Sequence, residues 1–339
     1  MDMTIQAPAY QEPSGSAIGM VRTVLGDLPA ADLGPCYPHE HLILDSILIS
    51  TGYPNILLDD ADVTTREVNE CAAVGVRAMV DAMPCASGRD VLRLAEVSRR
   101  TGVAVLAMTG LHHERYYGPR HWSIRIPVET LADLFVADVV EGVDAFDYTG
   151  PIVSRTEHRA GIIKLATSGV VATAREVQVL EAVALAARRT GIPVLTHLEH
   201  GHGGVQQLEL LDRNGIPPSQ VVLSHPDKVD DVAYHRELAQ SGAFLEYDQA
   251  IRHADSQPSV SARMALALAE DGLASQIVLS TDGARRTLWH AYNGTPGLAW
   301  LLRDFPAVLT GLGIDAATVN DMFVANPARL LALRTPADA

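Results

Sequence analysis

Short apolar runs alternate with longer amphipathic segments along most of the chain. Eight candidate strands, most of them rich in Val, Ile, Leu and Ala, occupy residues 35–44, 78–82, 103–109, 161–166, 193–197, 220–224, 243–247 and 276–280. Continuous apolar runs of this kind are typical of strands that are buried on both faces. Between them, apolar residues at helical spacing predict helices over residues 64–74, 89–101, 128–141, 173–190, 205–214, 232–241 and 262–271.

Glycine follows many of the predicted helices, at Gly102, Gly191, Gly215, Gly242 and Gly272. Glycine tolerates the left-handed backbone that ends a helix before the next strand. The repeated alternation of strand and helix predicts an α/β fold, a (β/α)8 TIM barrel with extra C-terminal helices. We expect one domain over residues 17–339 after an N-terminal arm of residues 1–16, because no linker or low-complexity tract marks a second domain.

The composition favours a soluble enzyme and disfavours a nucleic-acid partner. The chain has 41 acidic and 26 basic residues, a formal charge of -15, so phosphate backbones are repelled on average. Cys36, Cys71 and Cys85 have no CxxC spacing, which argues against disulfides and a thiolate metal site and favours a reducing cytoplasm. Neither a signal peptide nor an apolar stretch of about 18 residues is apparent, so no membrane association is expected.

Six polar residues lie at the ends of the apolar runs, where barrel enzymes place their catalytic groups. They are His39, His41, Lys164, His197, His225 and Asp282. In the HEH motif, alternation along a strand places both histidines on one face while Glu40 turns away. Each residue alone also has a structural explanation: a hydrogen-bonded imidazole, a lysine that reaches the barrel mouth, or an aspartate that caps a helix.

Lys164 is the unusual member because it interrupts an otherwise apolar strand, GIIKLAT. A buried ammonium is costly and tends to lose its charge or gain a partner. The alternative to a paired lysine is a neutral amine that has captured carbon dioxide, because the two oxygens of the carbamate could bridge two divalent ions. Asp282 could then bind one ion and accept a proton from bound water.

These residues, in this order, resemble the phosphotriesterase family of the amidohydrolase superfamily, from VRTVLGDLPAADLGPCYPHEHL to FVANPARLLAL. The resemblance implies a binuclear centre in which His39, His41 and Asp282 hold one ion and His197 and His225 hold the other. Carboxylated Lys164 would bridge the two ions. Zinc is the usual expectation, although manganese, cobalt or iron suit similar nitrogen and oxygen ligands.

Two such ions, about 3.5 to 4 Å apart, would share a hydroxide that attacks the carbonyl of a small lactone. The loops TGLHHERYYGPRHW, QAIRH and STDGARRTLWHAYNGTPGL resemble those of the branch that hydrolyses sugar lactones, including phosphorylated furanose lactones. Lys228 and Arg252 lie where that branch places cations for a phosphate. The candidate substrate-binding residues are Lys228, Arg252, Arg285, Tyr117 and Tyr292.

The chain also departs from that branch. A polar run, HADSQ, replaces the aromatic residue expected after Arg252, and HLEHGHGG differs from the usual loop after the fifth strand. The alternatives are a phosphotriesterase, an N-acyl-homoserine lactonase, or a metal-free binding relative, which would need none of the six ligand positions. We expect a small-molecule substrate, and a homodimer as is common in the family.

Overall fold

A parallel sheet of eight strands lies at the centre of the structure, a computed structural model that describes residues 19–337. The described chain begins with an antiparallel hairpin of β1 (Met20–Thr23) and β2 (Gly26–Pro29). The parallel strands are β3 (Cys36–Glu40), β4 (Ala78–Asp81), β5 (Ala104–Gly110), β6 (Ala160–Thr167), β7 (Val194–Leu198), β8 (Val221–Ser224), β9 (Phe244–Tyr247) and β10 (Ile277–Leu279). They pair in chain order from β3 to β10.

Helices connect the strands and surround them. They are α1 (Ile47–Gly52), α2 (Ala61–Ala73), α3 (Val91–Thr101), α4 (Val128–Val140), α5 (Ala174–Thr190), α6 (Gly204–Arg213), α7 (Val232–Gln240) and α8 (Val260–Glu270). Four more follow β10: α9 (Trp300–Arg303), α10 (Phe305–Gly311), α11 (Ala316–Phe323) and α12 (Ala325–Leu331). Between residues 19 and 337, no helix combines the length and apolar character that a membrane span requires.

The predicted (β/α)8 barrel is confirmed, and each of the eight predicted strands is present. The hairpin of β1 and β2 was not predicted, because its strands are short and GDLP is not an apolar run. The predicted N-terminal arm, residues 1–16, lies outside the described residues, and the single-domain boundary remains a prediction.

Two apolar layers form because successive side chains of a strand point to opposite faces. Val80 and Leu106 belong to the cluster inside the barrel, whereas Met79 and Val105 belong to the cluster between strands and helices. Lys164 shares the inward face of β6 with Ile162, two residues away. It is therefore a buried lysine inside the barrel, 1% exposed.

The seam between β10 and β3 is joined by hydrogen bonds around His39. Ser280 Oγ donates to the His39 carbonyl at 2.6 Å and accepts from the His39 amide at 2.9 Å. The Asp282 amide donates to the same carbonyl at 3.1 Å. The first and last strands of the barrel therefore meet at two candidate metal ligands.

Gly102 and Gly191 end two helices in the same backbone conformation but differ in how closely other parts of the chain pack against them. Both end a helix with φ of 71°, but a Cβ at Gly191 would lie 2.0 Å from the Arg334 carbonyl oxygen, whereas a Cβ at Gly102 would meet nothing within 4 Å. We expect Gly102→Ala to cost about 1 to 2 kcal/mol through left-handed strain. Gly191→Ala should cost about 1 to 3 kcal/mol more because the Arg334 segment must move. Denaturant unfolding measures both, and equal losses would contradict this account.

Candidate metal centre

The six predicted strand-end residues lie together at the carboxyl end of the barrel. His41 Nε2 is 3.2 Å and His39 Nε2 is 3.8 Å from Asp282 Oδ1. On the other side, His225 Nε2 is 2.9 Å from His197 Nδ1, and the rings of His39 and His225 are 5.1 Å apart. Two groups of imidazoles thus share one buried pocket.

Lys164 lies on β6 between these groups in the barrel order. Its Nζ donates to the Ala82 carbonyl at 2.8 Å. Burial lowers the pKa of Lys164 to about 8, although surrounding carboxylates, first among them Asp282, oppose this shift. At pH 7 an amine with this pKa is neutral in about one molecule in ten, far more often than an ordinary lysine, and a neutral amine is the form that can add to carbon dioxide.

Three of the histidines have a carboxylate on the nitrogen that faces away from the pocket. His39 Nδ1 lies 2.8 Å from Glu246, His225 Nδ1 lies 2.7 Å from Asp248, and His197 Nε2 lies 2.7 Å from Glu199. Such outer partners fix the ring and its tautomer in metal-binding histidines. The remaining nitrogen of each ring faces the pocket, where it could bind an ion.

Electrostatics at the pocket also suits metal binding. Burial lowers the pKa of His39 to about 3 and the pKa of His197 and His225 well below its usual range, so these rings are neutral and keep a lone pair. Burial alone would raise the pKa of Asp282, but the charge of Arg252 and a hydrogen bond from His41 outweigh it and hold the pKa well below its usual range, so the carboxyl is an anion. His41 Nδ1 is buried and has no hydrogen-bond partner among residues 19–337.

The donor atoms fall into groups that could hold a cation. His39, His41 and Asp282 form one group, and His39, His225 and Asp248 form another; within each group the donor atoms lie within 4.8 Å of one another. A further group consists of His113, His197 and Glu199. Neutral imidazole nitrogens with carboxylate oxygens are the donor set that zinc and similar divalent ions prefer.

The predicted substrate-binding residues occupy different environments. Arg252 donates to Asp282 Oδ2 at 2.7 Å and to the carbonyls of Asp248 and Thr281 at 2.9 and 3.0 Å. Tyr117 donates its hydroxyl to the Cys85 carbonyl at 3.0 Å. These contacts are internal, so substrate binding by either residue remains a prediction.

Lys228 and Arg285 are exposed at the same end of the barrel, after β8 and β10. Tyr292 stacks under the guanidinium of Arg286, with 4.6 Å between the guanidinium carbon and the ring centre. Its hydroxyl is buried without a hydrogen-bond partner in the described part of the chain. The contribution of these three predicted residues to substrate binding also remains a prediction.

The sequence reasoning did not assign the carboxylates Glu199, Glu246 and Asp248. Their spacing in the sequence does indicate shared faces. Because side chains alternate along an extended segment, Glu199 lies on the same side as His197, and Glu246 lies on the same side as Asp248. Glu246 also stands in an otherwise apolar strand, FLEY. Glu246 and Asp248 are buried acids that need a partner, and the buried histidines provide it.

Fold and site together define a (β/α)8 barrel with a candidate binuclear metal centre at its carboxyl end. The chain belongs to the phosphotriesterase family, whose family model matches residues 19–331. That family consists of binuclear metal-dependent enzymes. The resemblance found in the sequence is therefore confirmed.

Individual relatives are similar to this chain over nearly its whole length. A phospho-furanose lactonase of Mycoplasmopsis synoviae is 30% identical over 321 residues, which cover 92% of this chain and 91% of the relative. The structure of an amidohydrolase from Mycoplasma synoviae superimposes with a TM-score of 0.90 at 30% identity, covering 94% of this chain and 93% of that one. A lactonase from Listeria monocytogenes has a TM-score of 0.85 at 26% identity, covering 93% and 100%.

Asp248 provides a test of the outer carboxylates. Asp248→Asn should weaken metal binding by about tenfold to a hundredfold, because the amide no longer holds His225 in the correct tautomer. Metal content at equilibrium with a chelator of known affinity measures the change. Asp230→Asn, at a carboxylate that is 57% exposed and pairs with Arg263, is the control. Equal metal retention in both variants would show that Asp248 does not support the centre.

Proposed function

We propose that the protein is a metal-dependent hydrolase that opens the ring of a small, sugar-derived lactone. The observation that carries this proposal is the buried pocket in which His39, His197 and His225 each present one nitrogen while a carboxylate holds the other. Membership of the phosphotriesterase family and the phospho-furanose lactonase among the relatives support the choice of reaction.

Two divalent ions, with zinc as the first candidate, complete the proposed centre. His39, His41 and Asp282 would hold one ion and His197 and His225 the other. When bound, such ions make hydroxide available near neutral pH and polarise a carbonyl oxygen. Lys164 would bridge them as a carbamate: its neutral amine would bond to the carbon of carbon dioxide as one C=O π pair moves to oxygen, and the amine proton would pass to solvent.

Asp282 is the residue that we assign to proton transfer. Its Oδ1 faces His41 and its Oδ2 accepts from Arg252, so the carboxylate is held at both oxygens. It would accept the proton that the attacking water loses and deliver it to the leaving alkoxide of the opened lactone. General acid–base transfer of this kind requires a group fixed within hydrogen-bond reach of both positions.

The neighbouring cleft favours a hydroxyl-bearing substrate. A cavity of about 350 Å³ is lined by His113, Glu114, Arg115, Ser168, Thr173, Glu176, Glu199 and His200. These side chains can exchange hydrogen bonds with sugar hydroxyls. The leaving groups of phosphotriesters and the acyl chains of homoserine lactones call for more apolar surroundings. Lys228 and Arg285 could add recognition of a phosphate.

We also propose a homodimer and a cytoplasmic location. The three cysteines, Cys36, Cys71 and Cys85, are free and buried, which is consistent with a reducing compartment. Homodimers are expected from the family.

Metal removal tests the reaction class. Protein treated with a chelator should lose turnover of γ- and δ-lactones and regain it when zinc, manganese or cobalt is added back singly. The assay panel also contains phosphorylated furanose lactones, an acyl-homoserine lactone and the phosphotriester paraoxon. Turnover of paraoxon alone would replace the lactonase assignment with the triesterase alternative, and turnover of nothing in the panel would refute both.

Asp282→Asn tests the proton-transfer role. We expect kcat to fall by about a hundredfold or more, because acid–base groups commonly contribute rate factors of that size. Circular dichroism and metal content must match the wild-type protein, since Asp282 is also a proposed ligand. A kcat close to the wild-type value at full metal occupancy would exclude this role.

A further inference from the structure

Glu40 lies between the candidate ligands His39 and His41, yet its side chain is directed toward the segment that follows β10. It is fully buried, with no exposed surface. The alternation of side chains along β3 explains why it does not face the pocket that contains its two neighbours. A buried carboxyl group at this position needs several hydrogen-bond partners to offset its lost hydration.

The donors come from the residues on both sides of Asp282. Glu40 Oε1 accepts from the Thr281 amide at 2.9 Å and lies 2.8 Å from Ser280 Oγ. Its Oε2 accepts from Thr281 Oγ1 at 2.5 Å and from the Gly283 amide at 3.3 Å. The carboxylate therefore binds the residue before Asp282 and the residue after it.

Asp282 itself has an unusual backbone. Its φ is 45°, in the left-handed region that non-glycine residues seldom adopt. Such a conformation is energetically unfavourable and persists where the surroundings fix it. A Cβ at Gly283 would lie 2.6 Å from the Leu298 side chain and 3.1 Å from Glu40 Oε2, so the chain is closely confined there.

We propose that Glu40 is a positioning residue for Asp282. By holding the Thr281 and Gly283 amides, it keeps Asp282 in the left-handed conformation that directs Oδ1 toward His39 and His41. This inference rests on the proposed function, because that function gives Asp282 its role. The central residue of the HEH motif would therefore support catalysis by positioning Asp282, although it contacts neither substrate nor ion.

Glu40→Gln is a sharp probe because both oxygens of Glu40 accept a backbone N–H. Whichever way the glutamine amide is turned, its NH2 group faces the amide of Thr281 or of Gly283. Side-chain volume and shape are otherwise kept. The substitution therefore disturbs the segment around Asp282 without opening a cavity.

Glu67→Gln is the matched control. Glu67 is also fully buried, and its two oxygens accept from the Ala291 and Leu298 amides at 2.9 and 2.8 Å. It thus makes the same kind of contact with the loop after β10, but not beside Asp282. We expect both variants to lose similar stability in denaturant unfolding.

Measurements on enzyme loaded with Co²⁺ distinguish a positioning role of Glu40 from a purely stabilising one. In Glu40→Gln, kcat should fall by about tenfold to a hundredfold, as small misplacements of catalytic groups do, while KM changes little. The visible spectrum of bound Co²⁺ should also change, because the carboxylate of Asp282 moves. In Glu67→Gln, kcat and the spectrum should match the wild-type protein. A wild-type kcat and spectrum in Glu40→Gln would overturn the inference. A fall in kcat that matches the loss of stability in both variants would also overturn it.

Thr281→Val keeps the test decisive if Glu40→Gln does not fold. It removes one donor to Oε2 and should cause the same spectral change with a smaller loss of kcat. An unchanged spectrum with unchanged kcat in this variant would overturn the inference. If wild-type enzyme opens no lactone, the proposed function fails, and the Co²⁺ spectra of the variants still decide the role of Glu40.

Discussion

The pairing of buried imidazoles with buried carboxylates is the interaction on which the carboxyl end of the barrel depends. An unpaired imidazole N–H or carboxylate in the wall would carry a desolvation cost of several kcal/mol. His39 Nδ1 contacts Glu246 Oε2, and His225 Nδ1 contacts both oxygens of Asp248, so each buried imidazole has a carboxyl partner. Because each contact occupies one nitrogen, it directs the other toward the pocket. The same contacts therefore allow the imidazoles to be buried and orient their metal-binding nitrogens.

The strands and the six ligand candidates could be predicted because the signals are local. Apolar runs identify buried parallel strands, and a polar residue at the end of such a run is easily recognised. The outer carboxylates could not be assigned in the same way. Glu246 belongs to β9 and contacts a histidine of β3, so the contact depends on how the barrel closes. No pattern within either segment specifies that partner.

Arg252 shows where resemblance is less informative than geometry. Its position in the sequence suggested a cation for a substrate phosphate, but its guanidinium donates to Asp282 and to the carbonyls of Asp248 and Thr281. A planar guanidinium with several donors can bind a substrate anion or hold a loop. The hydrogen-bond acceptors around Arg252 decide whether its guanidinium binds a substrate anion or holds a loop. Those acceptors come from distant parts of the chain.

Buried carboxyl groups also hold the backbone at two of the candidate ligands. Two ligand candidates, His225 and Asp282, have φ values of 68° and 45°. Asp248 accepts the His225 amide at 3.2 Å, while Glu40 accepts the amides on either side of Asp282. At both positions a buried carboxyl group, in another strand or directly after one, holds a strained backbone. The barrel wall therefore sets the geometry of the pocket in advance, and an ion that binds there does not have to bear the cost of assembling its ligands.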